Sequence, residues 1–395
     1  MLSFLNTEIA FKGRSYRELN RSFWLFKMMG YPSLVKYGKG WMRLAFKIHL
    51  PIKNIIKNTL YKQFCGGENI KECEHVINEM YGNYHVGTIL DYSAEGQAND
   101  ASFEFCKNEV LKTIALAKGN RKIPFTVFKI TGLARFELLV KVQEQKELSA
   151  DEQEEFNKVK ERIDELCRTA YESDVRIFMD GEETWIQKVI DDIAEAMIKK
   201  YNKEKAIVFT TIQLYRNDRI HYLKEQVLDA RNEGYYFGVK LVRGAYMEKE
   251  RKRAEANAYD SPINKTKEET DRIYNKAITI CVENIDSVNV CLGTHNETSC
   301  LHMVHLMEQK GIKNNDKRIY FAQLYGMSNH ISYNLSAEGY NVAKYVPYGE
   351  VEKLVPYLIR RAKENTSIAG QTGREVRLIV AEKRRRQAIF KNARK

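Results

Sequence analysis

Proline is scarce in this chain. There are six in 395 residues, and no stretch is rich in serine and glycine. Long linkers and disordered arms draw on such residues, so their shortage argues for continuous folded structure. Cysteine occurs seven times, an odd count, with no Cys-x-x-Cys pair. A disulfide framework is therefore not expected, and the cysteines read as reduced, mostly buried thiols of a cytoplasmic protein. No apolar run reaches the roughly 18 residues that a membrane-spanning helix needs. The stretch Met1–Ala10 is only mildly apolar, and Glu8 and Lys12 interrupt it, unlike a secretory signal. No Gly-x-Gly-x-x-Gly follows a strand-like run, and no Gly-rich P-loop occurs, which disfavours a Rossmann site or a P-loop kinase. No His/Cys/Asp cluster has zinc-like spacing, so no metal is expected.

What is present is basic and apolar. The chain has 64 Lys and Arg against 52 Asp and Glu, a net charge of +12, and 44% hydrophobic residues. That excess suits an anionic substrate, a flavin or nucleotide, an anionic membrane surface or nucleic acid. Nucleic acid is not expected, because no binding motif and no basic stripe interleaved with aromatics can be found.

Residues 1–80 read as a basic helical region with the clusters SFWLFKMMG (Ser22–Gly30) and WMRLAFKIHL (Trp41–Leu50). They suit a cap over a core or a membrane contact. Eight short apolar runs follow: His85–Leu90, Phe125–Ile130, Val175–Met179, Ile207–Ile212, Tyr236–Val242, Val288–Leu292, Ile319–Leu324 and Val342–Val346. Helix-like stretches separate them, which implies parallel strands, and eight such units predict an α/β fold of the (β/α)8 TIM-barrel type over 81–375. The charged segment 136–171 reads as an inserted helical hairpin after the second strand. Residues 376–395 read as a basic terminal helix, either packed or lying on an anionic bilayer.

In such a barrel the chemistry sits where the strands end. Those ends offer Asp91 and Glu95, Lys129, Asp180, Gln213, then Lys240, Arg243 and Tyr246, then Thr294 and His295, then Leu324, and finally Tyr345. Lysine inside an apolar strand is costly unless paired or functional, so Lys129 and Lys240 stand out. A Schiff-base aldolase, a flavin or phosphate contact and a carboxylate site all remain open for them. His302 and His305, on an apolar helix, are expected in the core or at the surface rather than as ligands. After the last strand comes a helix in which Tyr357, Arg360, Arg361 and Glu364 share one face, and Val351, Leu354, Leu358 and Ala362 the other. Adjacent guanidiniums beside an aromatic suit a clamp for a small carboxylate. The alternative is a solvated face with an Arg360–Glu364 ion pair.

The stretches KLVRGAYM, GTHNE, FAQLYGM, KYVPYG and PYLIRRAKENTS, in this order and spacing, resemble the proline dehydrogenases, flavin enzymes also called proline oxidases. The resemblance runs from about Asp91 through Arg374. It implies a (β/α)8 barrel with FAD on its mouth. The implied reaction is oxidation of L-proline to 1-pyrroline-5-carboxylate by hydride transfer to flavin N5, with electrons passing to a quinone. That is the first step toward glutamate, with pyrroline-5-carboxylate dehydrogenase downstream. The chain looks like the short monofunctional type, cytoplasmic and peripheral on a bacterial inner membrane. By matched position, the proline carboxylate would meet Lys129, Arg360 and Arg361. Glu95 would pair with Arg360. Asp180, Leu241, Ala245, Tyr246, Leu324, Tyr345 and Tyr357 would wall the ring. Gln213, Lys240, Val242, Gly244, Met247, Thr294, His295, Arg361 and Glu364 would contact FAD. Some family members carry arginine where Lys240 stands and lysine where Arg243 stands; both swaps keep the charge, but lysine cannot reproduce the planar fork. A bulky Tyr345 against the ring predicts proline over hydroxyproline, with a hydroxyproline dehydrogenase as the alternative within the same chemistry.

Overall fold

The computed structural model describes residues 2–31, 53–92, 99–367 and 371–392, the side chains of 363–367 and 371–372 excepted. Eight strands form a closed parallel barrel in sequence order: β1 (Gly87–Tyr92), β2 (Phe125–Phe128), β3 (Arg176–Met179), β4 (Val208–Gln213), β5 (Phe237–Val242), β6 (Val288–Gly293), β7 (Ile319–Leu324) and β8 (Val342–Tyr348). Each falls within two or three residues of the apolar run that predicts it. The strands read as unbroken apolar runs because neither face of a parallel barrel meets water.

Two compact units divide the chain. One comprises 87–322 with 339–343; the other comprises 1–86, 323–338 and 344–395. In the first unit, aromatic side chains fill the barrel interior. Phe125 on β2 stacks on Phe178 of β3 with ring centroids 4.3 Å apart, and meets Phe209 of β4 at 5.4 Å and Tyr320 of β7 at 4.9 Å. Strands β2 and β7 are not neighbours, so the last contact crosses the interior. Each such ring, buried to 3% exposure or less in the case of Phe125, Phe178 and Phe209, contributes about 1.5–3 kcal/mol on leaving water.

The segment after β2 folds into two helices, Phe136–Gln143 and Ala150–Glu172. The longer one starts on a capping box, in which the Ser149 hydroxyl takes the Glu152 N–H and the Glu152 carboxylate takes the Ser149 N–H. It is tied to the helix Asp100–Ala117 through buried Arg162, which donates to Glu104 at 2.6 Å and also pairs with Asp100. All seven cysteines are buried, and none is in a disulfide.

In the second unit, the helices Tyr16–Met29, Val351–Ser367 and Gln371–Asn392 enclose a separate apolar core built from Leu19, Phe26, Phe64, Leu354, Leu358, Ile379 and others. The terminal helix is anchored by its polar residues too. Glu382, fully buried, accepts from Arg385 and Arg386, and Arg386 also donates to the carbonyls of Arg14 and Phe11 at 2.7 and 2.9 Å. Of the two fates open to that basic segment, packing is the one realised along its inner face. Ile389 and Phe390 at its far end stay exposed.

Candidate active site

The ends of β2, β3 and β5 converge on one carboxylate. Asp180, just past β3, accepts from Lys129 at 2.8 Å on one oxygen and from Lys240 on the other. Lys129 also lies 3.9 Å from the Asp91 carboxylate at the end of β1. Lys240 is 4% exposed, and its ammonium sits 5.0 Å over the Phe178 ring. The two lysines that are improbable in apolar strands are thus held by one shared anion. Burial works against the charged form of Asp180, yet Lys129 and Lys240 outweigh it and hold the group down at about 2. Burial likewise opposes the Lys129 ammonium, but Asp180 and Asp91 keep its affinity for the proton well above the ordinary lysine range.

Around this cluster the strand ends are cross-braced. Gln213, at the end of β4 and 3% exposed, donates to the Glu182 carbonyl at 2.6 Å. Gly181 leaves room for it, since a Cβ there would stand 2.9 Å from the Gln213 amide nitrogen. Glu182 accepts from the Thr131 N–H at 3.1 Å and its hydroxyl at 2.5 Å. Burial pushes the Glu182 carboxyl up to about 7, against the pull of the Thr131 hydrogen bonds and of Lys129. Past β5, Arg243 splays its fork over Asp271, Thr294 and Ser299 at 2.7, 2.7 and 2.9 Å, with its guanidinium 4.3 Å over the Tyr274 ring. It is therefore braced against Thr294 at the end of β6 rather than turned to solvent. Gly244 takes φ +126°, and a Cβ there would meet the Tyr215 ring at 2.4 Å, so the position excludes any side chain. Leu241 is fully buried, Val242, Tyr246 and His295 are half-buried, Thr294 is buried, and Ala245 and Met247 are exposed. Among the described residues, no group of His, Cys, Asp and Glu is arranged to hold a metal ion.

The other unit carries the remaining candidates. The helix Val351–Ser367 buries Val351, Leu354, Leu358 and Ala362, as its periodicity predicts. Tyr357 is also buried, and the guanidinium carbons of Arg360 and Arg361 lie 5.8 and 5.3 Å from its ring centre. Aromatic stacking of this kind preorganises a guanidinium fork. Arg361 is 6% exposed, Tyr345 on β8 is 8% exposed, and Leu324 at the end of β7 is half-buried. Glu364 belongs to the helix, but its side chain lies outside the described residues, as does Glu95 altogether.

Several functional-looking groups escape a sequence reading. Lys344, fully buried on β8, donates to the carbonyls of Met327 and Leu324 at 2.6 and 3.3 Å. Glu250, fully buried, lies inside the strongly basic run EKERKR and looks there like one charge of a solvated helix. Glu250 breaks no periodic pattern, whereas Lys344, inside the apolar run Val342–Val346, carries the signal that singles out Lys129 and Lys240; the partners of both lie 17 or more residues away.

Comparison with known proteins adds the identity of the family. The model of the family described as proline dehydrogenase matches residues 74–374. Proline dehydrogenase 1, mitochondrial, of Caenorhabditis elegans is 27% identical, over 98% of this chain and 88% of its own length. A hydroxyproline dehydrogenase of Xenopus laevis is 30% identical, over 95% of this chain and 88% of its own. Among solved structures, proline utilization A from Bdellovibrio bacteriovorus superposes with a TM-score of 0.72 at 22% identity, covering 91% of this chain. The chain spans only 38% of that longer protein, so the likeness speaks for the fold alone. No helix among the described residues is long and apolar enough to cross a membrane. With a family model over most of its length and a barrel of the matching type, the chain belongs to the proline dehydrogenase family and is an oxidoreductase.

Proposed function

We propose that this chain oxidises L-proline to 1-pyrroline-5-carboxylate, using bound FAD as the immediate acceptor and a quinone as the onward one. The observation that carries the reading is the Lys129–Asp180–Lys240 cluster, one carboxylate between two lysines at three strand ends, in a chain of this family. The donor set around it suits a flavin. Gln213 and Thr294 stand at the ends of β4 and β6, and Lys240 lies inside β5 between them; a planar ring rich in carbonyls and ring nitrogens needs donors spread in this way. Val242, Gly244, Met247, His295, Arg361 and Glu364 complete the proposed cofactor contacts. When bound, the flavin supplies the two-electron acceptor.

The side chains have the remaining tasks. Lys129, Arg360 and Arg361 carry the cationic groups for the substrate carboxylate, and Glu95 would partner Arg360. Asp180 fixes Lys129 and Lys240. Leu241, Ala245, Tyr246, Leu324, Tyr345 and Tyr357 supply apolar and aromatic surface for a five-membered ring. Holding the substrate in one pose is the chief rate contribution asked of the protein, because the cofactor brings the redox chemistry. An Asp180 that stays ionised is a poor proton donor and a good electrostatic anchor, consistent with this division. Contact with an anionic membrane surface, from which a quinone would be reached, fits the net charge of +12.

The test is direct. Purified protein should be yellow, and anaerobic L-proline should bleach it with release of the cyclic imine. Colourless protein that remains inert after reconstitution with FAD would overturn the proposal. Trapping of a covalent adduct by borohydride with a carbonyl substrate would point instead to Schiff-base chemistry at Lys129 or Lys240. A second reading, 4-hydroxyproline as substrate, is favoured by the Xenopus relative. We expect kcat/KM to favour proline at least ten-fold, because the Tyr345 phenol, 8% exposed, leaves little room for a ring hydroxyl. Equal values would assign the second substrate.

A further inference from the structure

The loops after β3 and β5 both carry proposed site residues, Asp180 on the first and Gly244, Ala245 and Tyr246 on the second. Beyond the mouth, these loops are joined again by a second and independent set of contacts. The helix Met247–Ala256 follows the β5 loop directly, and the helix Thr184–Tyr201 follows the β3 loop. Glu250 on the first helix accepts from the Thr184 N–H at 2.8 Å and from the Thr184 hydroxyl at 2.6 Å. Lys249 pairs with the Glu183 carboxylate. Lys249 and Arg253 both lie over the Trp185 ring, at 5.5 and 4.5 Å. Three successive residues, 183 to 185, are thus gripped by positions 249, 250 and 253 of one short helix.

Glu250 is the keystone of this grip. It is fully buried, although the other five residues from Lys249 to Ala254 are four basic residues and an alanine and the helix is otherwise strongly polar. Burying a carboxylate is costly unless its oxygens are satisfied, so the position is under strong constraint. The helix Thr184–Tyr201 has no side-chain cap of its own, because its N-cap residue, Glu183, makes no capping hydrogen bond. Glu250 supplies that cap from 66 residues away, with its negative charge at the positive end of the helix dipole. It is also tied to the site across one helical turn: the Glu250 N–H donates to the Tyr246 carbonyl at 2.9 Å. A shift of Glu250 therefore moves Tyr246.

We infer that Glu250 is a positioning residue of this enzyme: through Thr184 it fixes the β5 loop, with Tyr246, against the β3 loop that carries Asp180. The inference rests on the proposed function for its kinetic consequence, but not for the latch itself. Loosening the latch leaves the reacting groups chemically intact and lets the substrate wall wander, so substrate binding suffers more than turnover.

Three variants of the full chain test this: Glu250→Ala, Glu250→Gln and Thr184→Val. We expect Glu250→Ala to raise KM for L-proline about ten-fold or more, with kcat within about three-fold of the parent. Glu250→Gln keeps one acceptor oxygen and should recover part of the loss. Thr184→Val removes one of the two hydrogen bonds and should raise KM by a few-fold. The readout independent of turnover is limited trypsin digestion, because the helix carries cleavable Lys249, Arg251, Lys252 and Arg253. Cleavage there should quicken about ten-fold in Glu250→Ala while the global melting curve keeps its shape. If Glu250→Ala does not fold, Glu250→Gln and Thr184→Val decide: parent-like KM and parent-like cleavage in both overturn the inference. So does an equal fall of kcat and kcat/KM with unchanged cleavage. Faster cleavage in a protein that never oxidises proline would keep the latch and reject the proposed substrate instead.

Discussion

Replacing Asp180 by Asn is the most searching single change, because one carboxylate is shared by two lysines. Asn keeps the shape and removes the charge. At the 2.8 Å separation of Lys129 from Asp180, an effective dielectric of about 20 gives an attraction of roughly 6 kcal/mol. Desolvation of the ions offsets part of this, and breaking a buried pair from one side has a net cost of about 3–5 kcal/mol. Two factors pull in opposite directions here. Lys129 retains Asp91 at 3.9 Å, which softens the loss. Lys240 is 4% exposed and deeper, which sharpens it. We therefore expect Asp180→Asn to lose about 3 kcal/mol, a large share of the roughly 5–15 kcal/mol that holds a domain together. Urea unfolding of purified protein, followed by intrinsic fluorescence at neutral pH, measures it. The pH dependence has a definite sign: Asp180 is held at about 2, below its ordinary 3.8, so its contribution is complete above about pH 4 and is lost as pH falls through about 2. A loss under 1 kcal/mol at neutral pH would show that the two lysines do not depend on this carboxylate and would refute the electrostatic account of the cluster.

Two further outcomes follow from the same structure. Burial raises Glu182 to about 7 from an ordinary 4.5, so the folded chain holds that proton more tightly than the unfolded one, and stability should fall by up to about 3 kcal/mol as pH rises from about 4.5 to 7. Glu182→Gln should remove that fall; unfolding curves at pH 5 and pH 8 that shift in parallel for both proteins would contradict it. Arg361→Ala should raise KM for proline roughly thirty-fold, matching the loss of about 2 kcal/mol expected for hydrogen bonds between charged groups, and steady-state constants near those of the parent would remove Arg361 from the carboxylate assignment.

Periodicity and spacing were enough to locate the eight strands, because each is a short apolar run bounded by helix signals and neither barrel face meets water. The same logic located the buried face of the helix Val351–Ser367, where Val351, Leu354, Leu358 and Ala362 follow the helical repeat. The lysines at 129 and 240 were conspicuous for their cost inside apolar strands, and the double arginine for its setting beside an aromatic. Local sequence carries such information because local backbone geometry imposes it.

Pairing between distant segments is a different matter. Nothing near position 180 says that its carboxylate divides between Lys129 and Lys240, 51 and 60 residues away. Nothing in a run of basic residues says that Glu250 is the one charge taken fully out of water, to cap a helix that begins at Thr184. Arg243, one residue past β5, reads in the sequence as a candidate ligand contact, but closure of the barrel set it on Asp271, Thr294 and Ser299. The sequence by itself determined the strand-and-helix alternation, the core faces and the stock of charged groups. Which charges meet, which are buried and which stay wet was decided only when the sheet curved shut, because a shared carboxylate or a cap supplied from afar exists only once strands remote in sequence stand side by side.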